Sequence, residues 1–252
     1  MELSVKIFLI VCPFVFLGGF VDAIGGGGGL ISLPAYLIAG LPTHMAIATN
    51  KLSSACGTAL TAIRFIKNKL INFKITIPGI IAAFIGSSIG ARLSLMAEER
   101  LLGIIILPVL FIAAFIVLNK KIFGKEYDDD FTVSYKLIIT VILSSLFVGM
   151  YDGFYGPGTG TFLIIAFNAF GKLSLKCSNA LAKMINLTTN ITSLAIFIMG
   201  GQVIWLLGLC AAVCGIMGNY LGSSLAIKKS DKYTKPIICI VLVLLFVKIL
   251  VE

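Results

Sequence analysis

Two glycine-rich breaks, 130 residues apart inside otherwise apolar sequence, limit this chain more than any other feature. The first follows Asp22 as A-I-G-G-G-G-G-L. The second follows Asp152 as G-F-Y-G-P-G-T-G-T. Each runs on through a short apolar stretch to another glycine (Gly40, Gly171), then into a longer segment carrying a lysine (Lys51, Lys183). A run of glycines loses too much backbone entropy to continue a good helix. In hydrocarbon, non-helical backbone is tolerated only where protein or a water-filled cavity surrounds it. Intramembrane charges obey the same restriction.

The surrounding sequence is membrane-grade. It is 59% hydrophobic and 12% charged, against about a quarter charged in soluble domains. Its apolar runs are long and unalternated, which argues for spanning helices over a β-barrel. The fold class is therefore all-α, a polytopic helical membrane protein. A net charge of +9 does not imply nucleic acid here, because the basic residues concentrate in loops. The six cysteines are scattered, and the expectation is that they sit as buried small hydrophobes. The N-terminus has no basic n-region and no small-residue cleavage site, so it reads as a retained first helix.

The chain repeats itself. Lys51/Lys183, Gly86/Gly218 and Gly90/Gly222 are each 132 apart, Gly40/Gly171 are 131 apart and Asp22/Asp152 are 130 apart. This internal duplication divides the chain into a first transmembrane repeat (1–119), a cytoplasmic linker (120–132) and a second repeat (133–252). Leu101–Leu118 completes the first half, and Val203–Ile227 and Tyr233–Val251 complete the second. The acid run Asp128–Asp130 reads as a solvated loop. Gly86/Gly90 and Gly218/Gly222 have the spacing that lets helices approach closely.

Charge orients the halves. The loop after the first lysine helix holds Arg64, Lys67, Lys69 and Lys74, and its counterpart is Gly200-Gly201-Gln202. The corners after Gly40 and after Gly86 swap basic character with their counterparts in the same way. Under the positive-inside rule the repeats are expected to be inverted. An odd number of crossings per half follows, either five or three plus a hairpin turning at the glycines. Leu30–Ala39 and Phe162–Phe170 are too short to span, which favours the hairpin. Both versions place the N- and C-termini outside.

Lys51 and Lys183 then lie ~13 and ~15 Å into their helices from opposite sides, near the midplane of a ~30 Å core. Each is either a direct anion ligand or half of a structural ion pair with Asp22 or Asp152. Gly26, Gly27, Gly28, Gly156, Gly158 and Gly160 offer backbone amides beside helix starts, a setting suited to an oxyanion, or they simply permit a tight turn. Asn50, Thr159 and Asn186 add neutral donors, as Thr49, Ser53, Thr161, Asn179 and Asn190 could. Asp22 and Asp152 either couple a proton to anion movement or cap the turns. His44 reads as incidental and Trp205 as an interface anchor. No metal cluster, cofactor motif or catalytic constellation is evident, so an enzyme is not expected. An anion channel and a structural subunit of a membrane complex are the competing readings.

The two glycine signatures, the stretch from Pro34 through Lys51 to Arg64, and the G-P-G-T-G of the second copy resemble the TauE/SafE sulfite exporter family. The resemblance covers nearly the whole chain. It implies a multi-pass carrier of the inner (cytoplasmic) membrane for small sulfur-containing anions such as sulfite, sulfoacetate or related organosulfonates. Export coupled to an ion gradient, proton or sodium, is the implied mode, and a homodimer is compatible with it. The chain departs from the pattern in its first signature, where five glycines stand in place of proline and threonine; a looser first turn is expected.

Overall fold

In a computed structural model of the chain, the glycine breaks become helix ends. The structure describes residues 4–98 and 127–251. Among these there are eight helices and no strand. They are α1 (Val5–Gly25), α2 (Gly29–Ile38), α3 (Thr43–Lys67), α4 (Phe73–Met96), α5 (Tyr135–Phe154), α6 (Thr159–Ala169), α7 (Leu175–Met199) and α8 (Trp205–Val251). Leu101–Leu118 and most of the linker lie outside the described residues.

Among the described residues five helices are long and apolar enough to cross a membrane: α1, α4, α5, α7 and the Trp205–Lys228 part of α8. At 25 residues α3 has the length, but it carries Lys51 and Arg64 among many hydroxyls. The apolar side chains facing outward explain the long uniform hydrophobic runs. Ile77, Ile81 and Phe84 on α4 and Leu209, Val213 and Met217 on α8 are all exposed, as on helices surrounded by lipid. Trp205, at the start of α8, is 52% exposed.

Two expectations need correction. The basic stretch Lys228–Lys235 does not break the chain, because α8 runs on as one 47-residue helix with Pro236 inside it. The cysteines are not buried either: Cys210 and Cys239 are exposed and the other four are partly exposed. Thiols on lipid-facing surfaces satisfy the same apolar preference as thiols in a core.

Helix ends follow the duplication. Lys69 and Gly201, 132 apart, both take a left-handed φ just past α3 and α7. The next amide then reaches back, Leu70 N to Phe65 O and Gln202 N to Phe197 O, closing the helix as a Schellman-type cap does. Past α2 and α6 the left-handed residues are Gly40 and Lys172, not Gly171. These are again 132 apart, whereas α2 and α6 start 130 apart, so the two extra residues of the second copy lie between the start of α6 and this corner.

The repeats interlock. Gly86 and Gly90 of α4 lie against the backbone of α5 at Leu146 and Met150. Gly218 and Gly222 of α8 lie the same way against α1 at Phe16 and Phe20. Absence of a Cβ at these four positions lets the backbones touch. In both pairs the residue numbers rise together, so the paired helices run parallel. The first helix of each repeat thus packs on the fourth of the other.

One polar anchor lies outside the spans. Ser174 caps α7 by accepting from Cys177 N, and its hydroxyl donates to Asp129 Oδ1 at 2.7 Å. Lys176 Nζ lies 2.7 Å from Asp129 Oδ2. The Lys176 hydrogen bond holds the Asp129 carboxyl below the usual carboxylate range. A depressed pKa stabilises the fold above the unfolded value near 4, and the gain is lost as pH falls through the folded value. Both side chains are partly in water, so screening holds the effect to the ~0.2–1 kcal/mol of exposed pairs. Asp129→Asn is expected to lower Tm slightly at pH 7 and to leave it unchanged at pH 3. A pH-independent loss would assign Asp129 a purely capping role.

Candidate functional site

Each first helix ends at a break from which the next, short helix folds back. Gly26 and Gly27 take left-handed φ in the first turn, Gly156 and Gly158 in the second. In register Gly27 matches Pro157, whose ring fixes φ near −65°. The second left-handed position therefore moves on by one residue, and the two turns differ in path. Gly28 N donates to Asp22 Oδ1 at 3.4 Å, and Gly18 lies on Gly28 and Ser32, which holds α2 against α1. In the second copy the Tyr151 hydroxyl donates to Pro157 O at 2.6 Å, and its ring meets Phe162 edge-on at 5.6 Å.

The turns meet. A Cβ built on Gly26 would fall on the backbone of Gly160 and Thr161, and one on Gly160 would lie 2.9 Å from Gly26 Cα. Thr161 Oγ1 donates to Gly25 O at 2.9 Å. Asn179 Nδ2 donates to Ala23 O and Ile24 O at 3.2 and 2.9 Å, tying α7 to the end of α1.

The lysines pair across the repeats, and reciprocally. Lys51 Nζ lies 2.6 Å from Asp152 Oδ2 and donates to Asn190 Oδ1 at 3.1 Å. Lys183 Nζ lies 2.9 Å from Asp22 Oδ2 and also donates to Asp22 O. The lysine of each half thus neutralises the acid of the other. Buried charges are tolerated only when paired in this way. Asp22 serves two roles, as turn cap and as counter-ion.

A polar cavity of about 40 Å³ lies at this crossing. Of the residues singled out from sequence, Gly27, Gly28, Asn50, Lys51, Asn186 and Asp22 line it. So do Gly156, Gly158, Thr159, Gly160 and Asp152. Gly26 and Lys183 do not: Gly26 is spent on the contact between turns, and Lys183 is 0% exposed. Ser53 and Asn190, noted as neutral donors, are on the wall; Thr49 instead accepts from Ile204 N at 3.1 Å. Sequence reasoning missed the wall residues Ser32, Ser54, Thr58 and Asn219. Ser32 Oγ donates to Asn50 Oδ1 at 2.7 Å, and Asn219 Oδ1 accepts from Thr61 Oγ1 at 2.9 Å. His44 is not idle; its Nε2 bonds Ser94 O at 2.9 Å and joins α3 to α4. Among the described residues no group of acids, histidines and cysteines is placed to hold a metal ion.

The sequence profile of the family described as sulfite exporter TauE/SafE matches residues 11–249, which takes in both turns, both lysines and both acids. The chain belongs to the sulfite exporter TauE/SafE family. It is similar to a protein named "Probable membrane transporter protein YfcA" from Escherichia coli, at 37% identity over 94% of this chain and 87% of that protein. It is also similar to a "Probable membrane transporter protein" of Haemophilus influenzae, at 32% over 95% and 93%. A third relative, ORF9 of Sinorhizobium sp, carries the same description at 32% identity over 97% and 92%. No solved structure matches. The TauE/SafE chain is thus an integral membrane protein and a membrane transporter.

Proposed function

We propose that this transporter carries a small sulfur oxyanion, sulfite or one of its size, through the cavity between the two glycine turns. The observation that carries the reading is Lys51, a cation on the wall of a small polar cavity, held by a carboxylate from the other repeat. One probe-sized water occupies ~10–15 Å³, so about 40 Å³ suits a few heavy atoms. A sulfoacetate or larger organosulfonate would need the cavity to widen. The first-turn amides of α2 and α6 border the same space, and both helix dipoles favour an anion there. In this reading Lys51 contacts the anion directly, with Asn50, Thr159, Asn186 and Asn190 as neutral partners, and Lys183 supports the site through Asp22.

Coupling follows from competition. An anion entering beside Lys51 competes with Asp152 for the ammonium, and the displaced carboxylate takes up a proton. Asp22 is the equivalent group of the other half. The backbone contact of the turns at Gly26 and Gly160 supports a carrier over an open channel. Purified protein in liposomes should move sulfite with saturating kinetics, respond to a pH gradient more than to sodium, and move sulfoacetate more slowly. Equal sodium and proton dependence would discard the aspartate mechanism, and unitary conductance would favour a channel.

The inverted-repeat reading, with the chain in the cytoplasmic membrane and the N-terminus outside, is supported by the charges swapped between the α2–α3 and α3–α4 corners and their α6–α7 and α7–α8 counterparts and by the reciprocal Lys–Asp pairs. The unbroken α8 removes the reversal at Lys228–Lys235 that would return the C-terminus to the outside. A cysteine at Gln202, in a chain freed of its native cysteines, is expected to react with an impermeant thiol reagent from outside. One at Lys67 is expected to react only from inside. Labelling of both from one side would overturn the inversion.

A further inference from the structure

The duplication breaks down at one place on the outer surface. In the α3–α8 interface, Arg64 Nη1 donates to Ser223 Oγ at 2.7 Å and to Tyr220 O, and Nη2 donates to Ser224 Oγ at 2.9 Å. The guanidinium also lies 4.4 Å from the centre of the Tyr220 ring. Arginine and tyrosine together fill the seam between those helices. The equivalent seam lies between α7 and α4, 132 residues away in each case. There Ile196 stands for Arg64 and Ser88 for Tyr220, while Thr192 stands for Leu60 and Ala195 for Ile63. In all four the second seam has the smaller side chain, while Phe84 and Ile191 are larger than their counterparts Ile216 and Ala59. The second seam is left as a lateral groove of about 450 Å³, walled by Phe84, Thr188 and Ile191 as well as by these residues. At its end Arg92 replaces Ser224. Its side chain is exposed, and among the described residues none accepts a hydrogen bond from it.

We propose that this groove binds an anionic glycerophospholipid, with one acyl chain in the seam and the headgroup phosphate on Arg92. Arg92 lies four residues before the end of α4 at Met96, ~6 Å along the helix axis, within reach of the headgroup zone by snorkelling. Leu95 packs on Gly200 just past α7, so both walls of the groove finish at the same level. From Phe84 to Arg92 the groove runs ~12 Å along α4, most of an acyl chain's half of the bilayer. A groove walled by Phe84, Ile191, Ala195 and Ile196 suits a hydrocarbon chain. A guanidinium at the rim suits phosphate, which it binds through paired N–H donors.

The test uses the purified full chain and native mass spectrometry, with dioleoyl phosphatidylglycerol, dioleoyl phosphatidylcholine and glycerol 1-phosphate as probes. The parent should retain phosphatidylglycerol over phosphatidylcholine and ignore glycerol 1-phosphate. Arg92→Gln, a surface change, should weaken phosphatidylglycerol at least tenfold and phosphatidylcholine little. Ser88→Tyr with Ala195→Ile, which restores the side chains of the filled seam, should abolish both. Unchanged phosphatidylglycerol binding in Arg92→Gln would overturn the proposal, as would retention of glycerol 1-phosphate. A dimer that dissociates only in the groove-filling variant would assign the groove to a second copy and overturn it equally.

Discussion

Lys51→Met is expected to reduce sulfite transport to background and to destabilise the protein by ~3–5 kcal/mol, with only the second effect reversed by adding Asp152→Asn. The stability arm follows from burial. Lys51 and Asp152 are almost inaccessible to water. Removing one charge leaves the other uncompensated, which typically costs ~3–5 kcal/mol. Removing both leaves no orphan charge, and the double variant should recover most of the loss. The transport arm follows from position. Lys51 lines the cavity, and a hydrogen bond to a charged group is worth ~1.5–3 kcal/mol, so anion binding should fall tenfold or more in the single and double variants alike. Lys183→Met with Asp22→Asn is the control. Its stability pattern should be the same, but its anion binding should fall less, because Lys183 does not reach the cavity. The measurements are thermal unfolding in detergent and the sulfite-dependent shift of Tm. A double variant that binds sulfite as tightly as the parent would make the Lys51–Asp152 pair purely structural.

The sequence made the parts of this site legible and left their pairing open. Glycine runs and intramembrane charges are costly in lipid, so Asp22, Lys51, Asp152 and Lys183 stand out without any structure. Which acid meets which lysine is different. Lys51 and Asp152 are 101 residues apart, Lys183 and Asp22 are 161 apart, and helix periodicity says nothing about contacts at that range. Ser32 and Asn219 were hidden for a related reason. A polar side chain among apolar neighbours is equally consistent with interhelical glue, and only the position of α3 reveals that these groups line the cavity. The cysteines failed on the solvent itself. Lipid and protein core are equally apolar, so hydrophobic neighbours cannot distinguish an exposed Cys210 from a buried one. The continuous α8 was missed because Lys228–Lys235 reads as a charged loop. Its basic residues are nevertheless good helix formers and it contains no glycine.

Alanine at Gly26 is expected to abolish transport and to cost ~2–5 kcal/mol of stability, while alanine at Gly40 or Gly201 should cost ~1–2 kcal/mol and leave transport intact. All three glycines have left-handed φ, at +74°, +87° and +67°. An L-residue in that conformation costs ~1–2 kcal/mol wherever it occurs. Gly40 and Gly201 have nothing within 4 Å of a new Cβ, so for them the conformational term is the whole effect. At Gly26 the Cβ would land on the backbone of Gly160 and Thr161. A backbone cannot rotate aside as a side chain does, and inserting a carbon into a packed contact typically adds ~1–3 kcal/mol. The two turns would have to separate, which moves the first-turn amides of α2 and α6 and the aspartates that hold both lysines. Function should therefore fail before the fold does, and Gly26→Ala should insert into the membrane yet carry no sulfite. If Gly26→Ala matched Gly40→Ala in both Tm and flux, the contact between the turns would not be what shapes the anion site.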